Sequence, residues 1–235
     1  MNAPPARIAK LKVDHRGYPV PWFVQWIDGK PDHRIVDPNK IPLAVKYQRC
    51  WICGESLGKY KTFVLGPMCV VNRTVSEPPS HLDCAQFAVA TCPFLSIPEK
   101  HRRARNLPEN VRDAVGNHIH RNPGVMALWT TFHYSVFRVQ GGVLFKPGEP
   151  QTVMWHAEGR AATRDEVLAS FEEGYPLLLP LIYAVSKGPL PTIFVFVLIF
   201  LTNKRGAYLM AFGVLLSHFL AYRQSWGWLT SFRGI

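Results

Sequence analysis

The sequence predicts an α+β fold, in which a small mixed domain is followed by an apolar, helical C-terminal tail. Three observations predict it. Short runs of β-branched and aromatic residues alternate with Gly and Pro pairs, a pattern typical of short strands. Two segments carry the polar residues that cap helices. From Pro176 onward the composition changes abruptly and becomes apolar.

Turn signals and composition divide the 235-residue chain into four segments. In the first segment, the run from Trp22 to Ile27 predicts a strand, and the Asp28-Gly29 pair predicts the turn that follows it. The four segments are 1–46, a loose basic arm (1–12) and short strands; 47–95, a cysteine-containing module; 96–174, basic helices, a β-meander and a capped helix; and 175–235, the apolar tail.

The charge of the chain favours anionic partners. It has 27 basic and 16 acidic residues, a formal net charge of +11. Such a balance is typical of proteins that bind nucleic acid or an anionic membrane surface. It says nothing about fold, and 48% of the residues are apolar, which is enough for a sizeable core.

Cysteine usage indicates a reducing compartment. All five cysteines lie between positions 50 and 92, and their odd number does not suit a disulfide framework. The N-terminal residues contain no apolar run of the kind found in signal peptides. We therefore expect a cytoplasmic protein whose clustered cysteines bind a metal ion.

Two ligand pairs predict a zinc site. Cys50 and Cys53 are separated by two residues, and so are His81 and Cys84. Such a spacing lets both members of a pair point at one ion, and structural zinc sites take four nitrogen or sulfur ligands in a tetrahedron. Gly54 suits the turn that the first pair needs. The sequence predicts one structural Zn²⁺.

Local patterns predict the elements around these pairs. Lys59–Leu65, a turn at Gly66-Pro67 and Met68–Val71 form the pattern of a β-hairpin. Ser80 is a good N-cap, and Asp83 stands three residues after it, as in a capping box. Both ligands of the second pair would then lie in the first turn of a helix.

A knuckle, a hairpin and a helix that carries two ligands resemble the treble-clef zinc fingers. The resemblance covers about residues 47–95, and it implies zinc bound by Cys50, Cys53, His81 and Cys84. Cys69 or Cys92 could replace His81 in that set. The wider pattern CWICG…GPM…EPPSHLDCA…CPF resembles uncharacterised bacterial and phage proteins, which implies no activity.

The sequence favours binding over catalysis. Treble-clef nucleases of the HNH type place a catalytic His, usually after an Asp, in the hairpin, whereas residues 54–80 contain neither. Glu77 and Asp83 could serve a hydrolytic zinc, but a loop charge and a helix cap explain them better. A zinc hydrolase or nuclease therefore ranks third, behind an adaptor and a nucleic-acid-binding protein.

A basic stretch follows the zinc module. Arginine suits bidentate phosphate contacts, so this stretch is a candidate site for nucleic acid or another anion. A solvated surface explains the same charges, and Glu99 and Glu109 dilute them. The candidate residues are Arg102, Arg103, Arg105 and Arg112.

Strands and a helix are predicted after the basic stretch. Residues 129–156 alternate, and Gly141-Gly142 and Pro147-Gly148 divide them into about three strands, a meander. A helix is predicted to begin at Thr163, which forms a capping-box pattern with Glu166. Gly174 suits its C-terminal stop.

Two apolar runs, Leu190–Leu201 and Ala207–Tyr222, predict a membrane hairpin over residues 189–222. Both of its ends would face the cytoplasm and would tether the zinc module to the inner face of the cell membrane. Lys204 and Arg205 would then lie on the far side, against the positive-inside tendency. The alternatives are a buried helical hairpin and, for the whole chain, a soluble nucleic-acid-binding zinc protein.

Overall fold

The computed structural model describes residues 3–98, 100, 101, 107 and 121–185. The chain divides after Pro176 into two units, Met1–Pro176 and Leu177–Ile235. All elements below belong to the first unit, except that the last helix continues past its boundary. The described residues form small sheets and short helices, so the predicted α+β class is confirmed at this level.

Six helices and eight strands follow one another in the described residues. They are α1 (Ala6–Ala9), β1 (Val24–Ile27), β2 (Lys30–Val36), α2 (Lys40–Tyr47), β3 (Lys61–Leu65), α3 (Pro67–Asn72), α4 (Leu82–Thr91), α5 (Pro93–Ser96), β4 (Met126–Thr131), β5 (Tyr134–Val139), β6 (Gly142–Pro147), β7 (Pro150–Ala157), β8 (Arg160–Ala161) and α6 (Arg164–Val185).

The N-terminal segment contains the predicted strands but also two helices. β1 and β2 form an antiparallel hairpin, and its turn residues Asp28 and Gly29 have φ values of 48° and 74°. Positive φ at both positions is the geometry of a tight hairpin turn. The prediction of a loose arm at 1–12 is wrong, because α1 forms there and buries Ile8, which is 1% exposed. Helix α2 was not predicted.

The main sheet has the strand order β3-β4-β7-β8. The predicted three-stranded meander is wrong, because β5 and β6 leave this sheet and form a separate hairpin between β4 and β7. Hydrogen bonds close the base of that hairpin. The Gly148 N–H donates to the His133 carbonyl at 2.9 Å, and the single proton of the Thr131 hydroxyl is shared between the carbonyls of His133 and Glu149.

The hairpin predicted for the zinc module is also wrong. β3 forms as expected, but Met68–Val71 lie within helix α3, which begins at Pro67. A proline at the first helical position loses no hydrogen bond and is preset for helical φ. β3 pairs instead with β4 on one side, and on the other Thr62 forms a single antiparallel bridge with Ser80.

β4 is buried along its whole length and joins two parts of the core. Because side chains alternate across a strand, Ala127 and Trp129 pack with Phe63 and Phe145 in one cluster. Met126 and Leu128 belong to a second cluster, which includes Ala85 and Val89 of α4. This packing fixes α4, and thus Cys84, on the sheet.

Helix α6 begins with the predicted capping box. The Thr163 N–H donates to Glu166 Oε2 at 2.7 Å, and the Glu166 N–H donates to Thr163 Oγ1 at 3.3 Å. The predicted stop at Gly174 is wrong, because the helix continues to Val185. Gly174 instead permits close packing, since a Cβ there would lie 2.8 Å from the Met68 methyl. Among the described residues, no helix is both long and apolar enough to cross a membrane.

Candidate metal centre

Four side chains from two separate parts of the chain meet at one point. Cys50, Cys53, His81 and Cys84 each offer one ligand atom, and these atoms all lie within 4.8 Å of one another. Cys50 and Cys84 are fully buried, Cys53 is 8% exposed and His81 is half-buried. The structure thus brings together the four residues that the sequence pattern singled out.

Backbone hydrogen bonds shape the turn that presents the first two cysteines. The Cys50 N–H donates to the Glu55 carbonyl at 2.8 Å, and the Gly54 N–H donates to the Cys50 carbonyl at 2.9 Å. Gly54 has a φ of 78°, a conformation that residues with a Cβ rarely adopt. We call residues 49–56 the knuckle, since Arg49 and Ser56 pair at its base.

The surroundings of Cys50 favour its negatively charged form. Its Sγ accepts hydrogen bonds from the backbone N–H groups of Cys53 at 3.5 Å and His81 at 3.4 Å. Hydrogen bonds from the Cys53 and Cys84 thiols, with these two backbone donors, hold the pKa of Cys50 far below its usual range. This direction favours the thiolate, which is the form of cysteine that binds metal ions.

The neighbouring thiols resist a second and third ionisation. The thiol–thiolate hydrogen bond to Cys50 raises the pKa of Cys53 to about 11. Hydrogen bonds to Cys50 and Cys53, together with burial, raise the pKa of Cys84 as well. Three thiolates so close together repel one another, which favours the neutral thiols. A cation bound between them reverses this preference and favours the thiolates.

His81 is oriented by its outer nitrogen. Its Nε2 lies 3.1 Å from the Ser56 carbonyl oxygen, so Nε2 carries the proton and donates it there. Nδ1 then faces the cysteines with a free lone pair, 3.5 Å from Cys53 Sγ and 4.0 Å from Cys84 Sγ. A second partner of this kind is what fixes the ring of a metal-binding histidine.

The start of α4 differs by one residue from the prediction. His81, not Ser80, is the N-cap, with a φ of −67° and a ψ of 151°. Ser80 is extended because its N–H and carbonyl both bond to Thr62, at 2.7 and 2.9 Å. His81 therefore precedes the first helical turn and Cys84 lies in it, with Asp83 between them.

The N-terminal arm covers the site. Ile8 packs in one apolar cluster with the three cysteines and Ile52. Arg7 lies 3.1 Å from Asp83 and 3.7 Å from Glu55, and although burial opposes the shift, the negative charge of Asp83 raises its pKa. Sequence reasoning missed α1 as part of the site, because a four-residue helix carries too little periodicity to be recognised.

The other two cysteines lie outside the cluster. Cys69 is in α3 and packs against the core around Phe63, and its burial raises its pKa to about 11. Cys92 joins α4 to α5, and burial raises its pKa too. His81, and not one of these two cysteines, is thus the fourth member of the cluster.

The remaining predicted site residues cannot be placed in this way. Arg102, Arg103, Arg105 and Arg112 lie outside the described residues, and so does the predicted membrane hairpin at 189–222. No protein-family model, curated protein or solved structure matches the chain. The four clustered side chains could hold one metal ion.

Proposed function

We propose that Cys50, Cys53, His81 and Cys84 hold one structural zinc ion in a zinc-stabilised, non-enzymatic binding protein. The observation that carries this proposal is the tight Cys₃His cluster, with its ligand atoms within 4.8 Å of one another. Tetrahedral zinc, with bonds of about 2.0–2.3 Å, holds its ligand atoms about 3.3–3.8 Å apart. The 3.5 Å between His81 Nδ1 and Cys53 Sγ lies in this range, and the 4.0 Å between Nδ1 and Cys84 Sγ is slightly longer.

The donor set favours zinc over the common hard cations. Thiolates and imidazole suit zinc, whereas magnesium and calcium prefer oxygen. Three thiolates and a divalent ion leave one negative charge, and the Arg7 guanidinium lies beside it. The site thus has a partner for its residual charge.

The arrangement supports a structural role better than a catalytic one. Four protein ligands complete a tetrahedron, whereas a catalytic zinc keeps one position for water. Glu77, the carboxylate considered for a hydrolytic zinc, accepts a hydrogen bond from the neighbouring Ser76 hydroxyl at 2.8 Å. Asp83 forms an ion pair with Arg7, so its carboxylate already has a partner.

The layout also supports a modified treble clef. The knuckle is followed by β3, and the Thr62–Ser80 bridge stands where a full second hairpin strand would be. Helix α3 lies between β3 and Ser80 in the chain, and α4 then provides Cys84 just after His81. We propose that the module is a treble clef whose hairpin is reduced to one bridged pair.

The test is the zinc content of the purified full chain, measured by elemental analysis. We expect one zinc per chain, and we expect Cys50→Ser and Cys84→Ser to lose it. Cys69→Ser and Cys92→Ser are matched controls that should keep it, since neither thiol is in the cluster. A structural zinc contributes about 10 kcal/mol or more to folding, as much as a domain's whole stability, so the first two variants should unfold.

Chelation provides a test that needs no mutant. Removal of zinc from the wild-type chain should unfold the first unit, and added zinc should restore its circular dichroism spectrum. A folded chain that contains no zinc would contradict the proposal. Equal zinc loss in the Cys69→Ser control would contradict the ligand set.

A further inference from the structure

A surface groove of about 240 Å³ lies beside the C-terminal end of α2. It runs between the end of α2, the start of β3 and the loop that joins β4 to β5. Its walls combine apolar, aromatic and basic side chains. The lining residues are Val45, Gln48, Lys61, Phe132, His133, Tyr134 and Val136.

Cations lie near aromatic rings in the segments that line this groove. Lys59 Nζ lies 4.6 Å from the centre of the Phe132 ring and 6.0 Å from that of Tyr60. Lys46 lies 5.1 Å from the centre of the Tyr47 ring. We define the basic–aromatic face as the set Lys46, Tyr47, Arg49, Lys59, Tyr60, Lys61 and Phe132.

The charges of this face are not balanced by acidic residues. Within the described part of the chain, none of its four cations forms an ion pair. Arg49 donates to the Gly54 carbonyl at 2.9 Å, and Lys61 donates to that of Lys59 at 3.3 Å. Backbone carbonyls leave the positive charges in place, so the face attracts an anion.

The two tyrosine rings of the face are open to solvent. Tyr47 is 50% exposed and Tyr60 is 53% exposed. Tyr60 also contacts Phe132, with ring centres 5.1 Å apart and planes at 45°. Burial would stabilise rings of this size, so exposed aromatic side chains held among cations indicate a surface built for a planar, anionic partner.

We infer that the basic–aromatic face binds single-stranded nucleic acid. Proteins that bind single strands combine a positive groove along the backbone with aromatic side chains on which bases stack, and both features occur here. An acidic peptide would satisfy the cations but leave the rings without planar partners. A duplex keeps its bases stacked on one another, away from Tyr47 and Tyr60.

This inference goes beyond the proposed function, since it names a partner and a surface apart from the zinc cluster. It also uses none of the arginines between 102 and 112. The test is the fluorescence anisotropy of a labelled 12-nucleotide oligothymidylate, titrated with the full chain at several salt concentrations. Four phosphate contacts predict a slope of log K against log salt of about −3, at about 0.7 per contact.

Paired variants locate the surface. The double variant Lys59→Ala/Lys61→Ala should bind more weakly, with a slope about 1.4 less steep, because two contacts are lost. The matched control Lys30→Ala/Arg164→Ala removes the same charge from β2 and α6, which contribute nothing to the groove. It should leave the affinity and the slope unchanged.

A variant of one ring separates stacking from charge. Tyr60→Leu keeps an apolar side chain without a π face and should weaken binding at least about fivefold, with the same salt slope. Tyr60→Phe keeps the ring and should bind as the wild type does. Because Tyr60 is 53% exposed, neither change disturbs the core.

Several outcomes would overturn the inference. They are absence of binding, equal affinity in the Lys59→Ala/Lys61→Ala variant, tighter binding to a 12-base-pair duplex, and capture by phosphatidylserine vesicles without binding of the oligonucleotide. Zinc content is measured on the same samples. One zinc per chain without oligonucleotide binding refutes only this inference, whereas folded chains without zinc refute the proposed function.

Discussion

Gly54 has two separate reasons to lack a side chain. Its φ of 78° is in the left-handed region, where other residues are strained. A Cβ at this position would also lie 2.6 Å from two carbons of the Trp22 ring. The backbone of the knuckle therefore turns tightly around Cys50 and also lies against the indole, and both conditions hold only for glycine.

Replacement of Gly54 by Ala should lower the free energy of unfolding by about 2–4 kcal/mol, because left-handed strain and overpacking add. The matched control is Gly29→Ala. Its φ is 74°, but no atom lies within 4 Å of the new Cβ, so only strain of about 1 kcal/mol is expected. Urea denaturation of the zinc-loaded chains measures both values. Equal values would show that contact with Trp22 contributes nothing.

At this scale the sequence predicts more of the metal site than of its surroundings. The two ligand pairs could be recognised because thiolate and imidazole ligands need fixed local spacings. The Ser56 carbonyl, which orients His81, could not be recognised, since every residue has a carbonyl and only the fold selects one. Arg7 was also missed, because an ion pair with Asp83, 76 residues away, leaves no local pattern.

Helix α1 shows how a short element can belong to a distant site. Only four residues long, it places Ile8 against the cysteine cluster. Lys10 pairs with Glu55 of the knuckle at 2.9 Å, but that pair is exposed, and exposed pairs contribute about 1 kcal/mol or less. Burial of Ile8 is therefore the larger contribution to holding α1 on the knuckle.

Truncation of Ile8 to Ala should destabilise the zinc-loaded chain by about 2–4 kcal/mol, the usual range for a large buried aliphatic side chain. It should also speed the transfer of zinc to a chromogenic chelator, because α1 no longer shields the thiolates. Ile8→Val serves as the graded control and should cost about 0.5–1.5 kcal/mol. If zinc transfer were as slow in the alanine variant as in the wild type, α1 would not be the cover of the site.

Elements whose signals are local were predicted, and elements decided by distant contacts were not. The Asp28-Gly29 turn and the Thr163–Glu166 capping box confirm this, because their geometry depends on neighbours in sequence. Met68–Val71 has a strand-like composition, yet Pro67 starts a helix there, and the two edges of β3 pair with β4 and, at Thr62, with Ser80. Gly174 fits a helix stop by type, but its role is to let α6 approach Met68.

At the scale of the whole molecule, the chain combines a unit with a candidate metal site and a strongly apolar one. The Cys₃His cluster lies within Met1–Pro176. After Glu173 the sequence contains no acidic residue, and its apolar runs are separated by Lys204 and Arg205. Each membrane crossing needs about 20 residues. The apolar runs after Glu173 suit this length only if flanking arginine and tryptophan residues lie at the interface.

The predicted membrane hairpin at 189–222 requires the full chain to float with lipid vesicles in a density gradient and to resist extraction by high salt. A chain that ends at Val185 keeps α6 and the whole zinc cluster, so it should stay in the aqueous fraction with one zinc per chain. Release of the full chain by salt would indicate surface attachment through its +11 charge. A full chain that is monodisperse in plain buffer would contradict the tether and favour a buried hairpin, in which the apolar runs pack against protein instead of lipid.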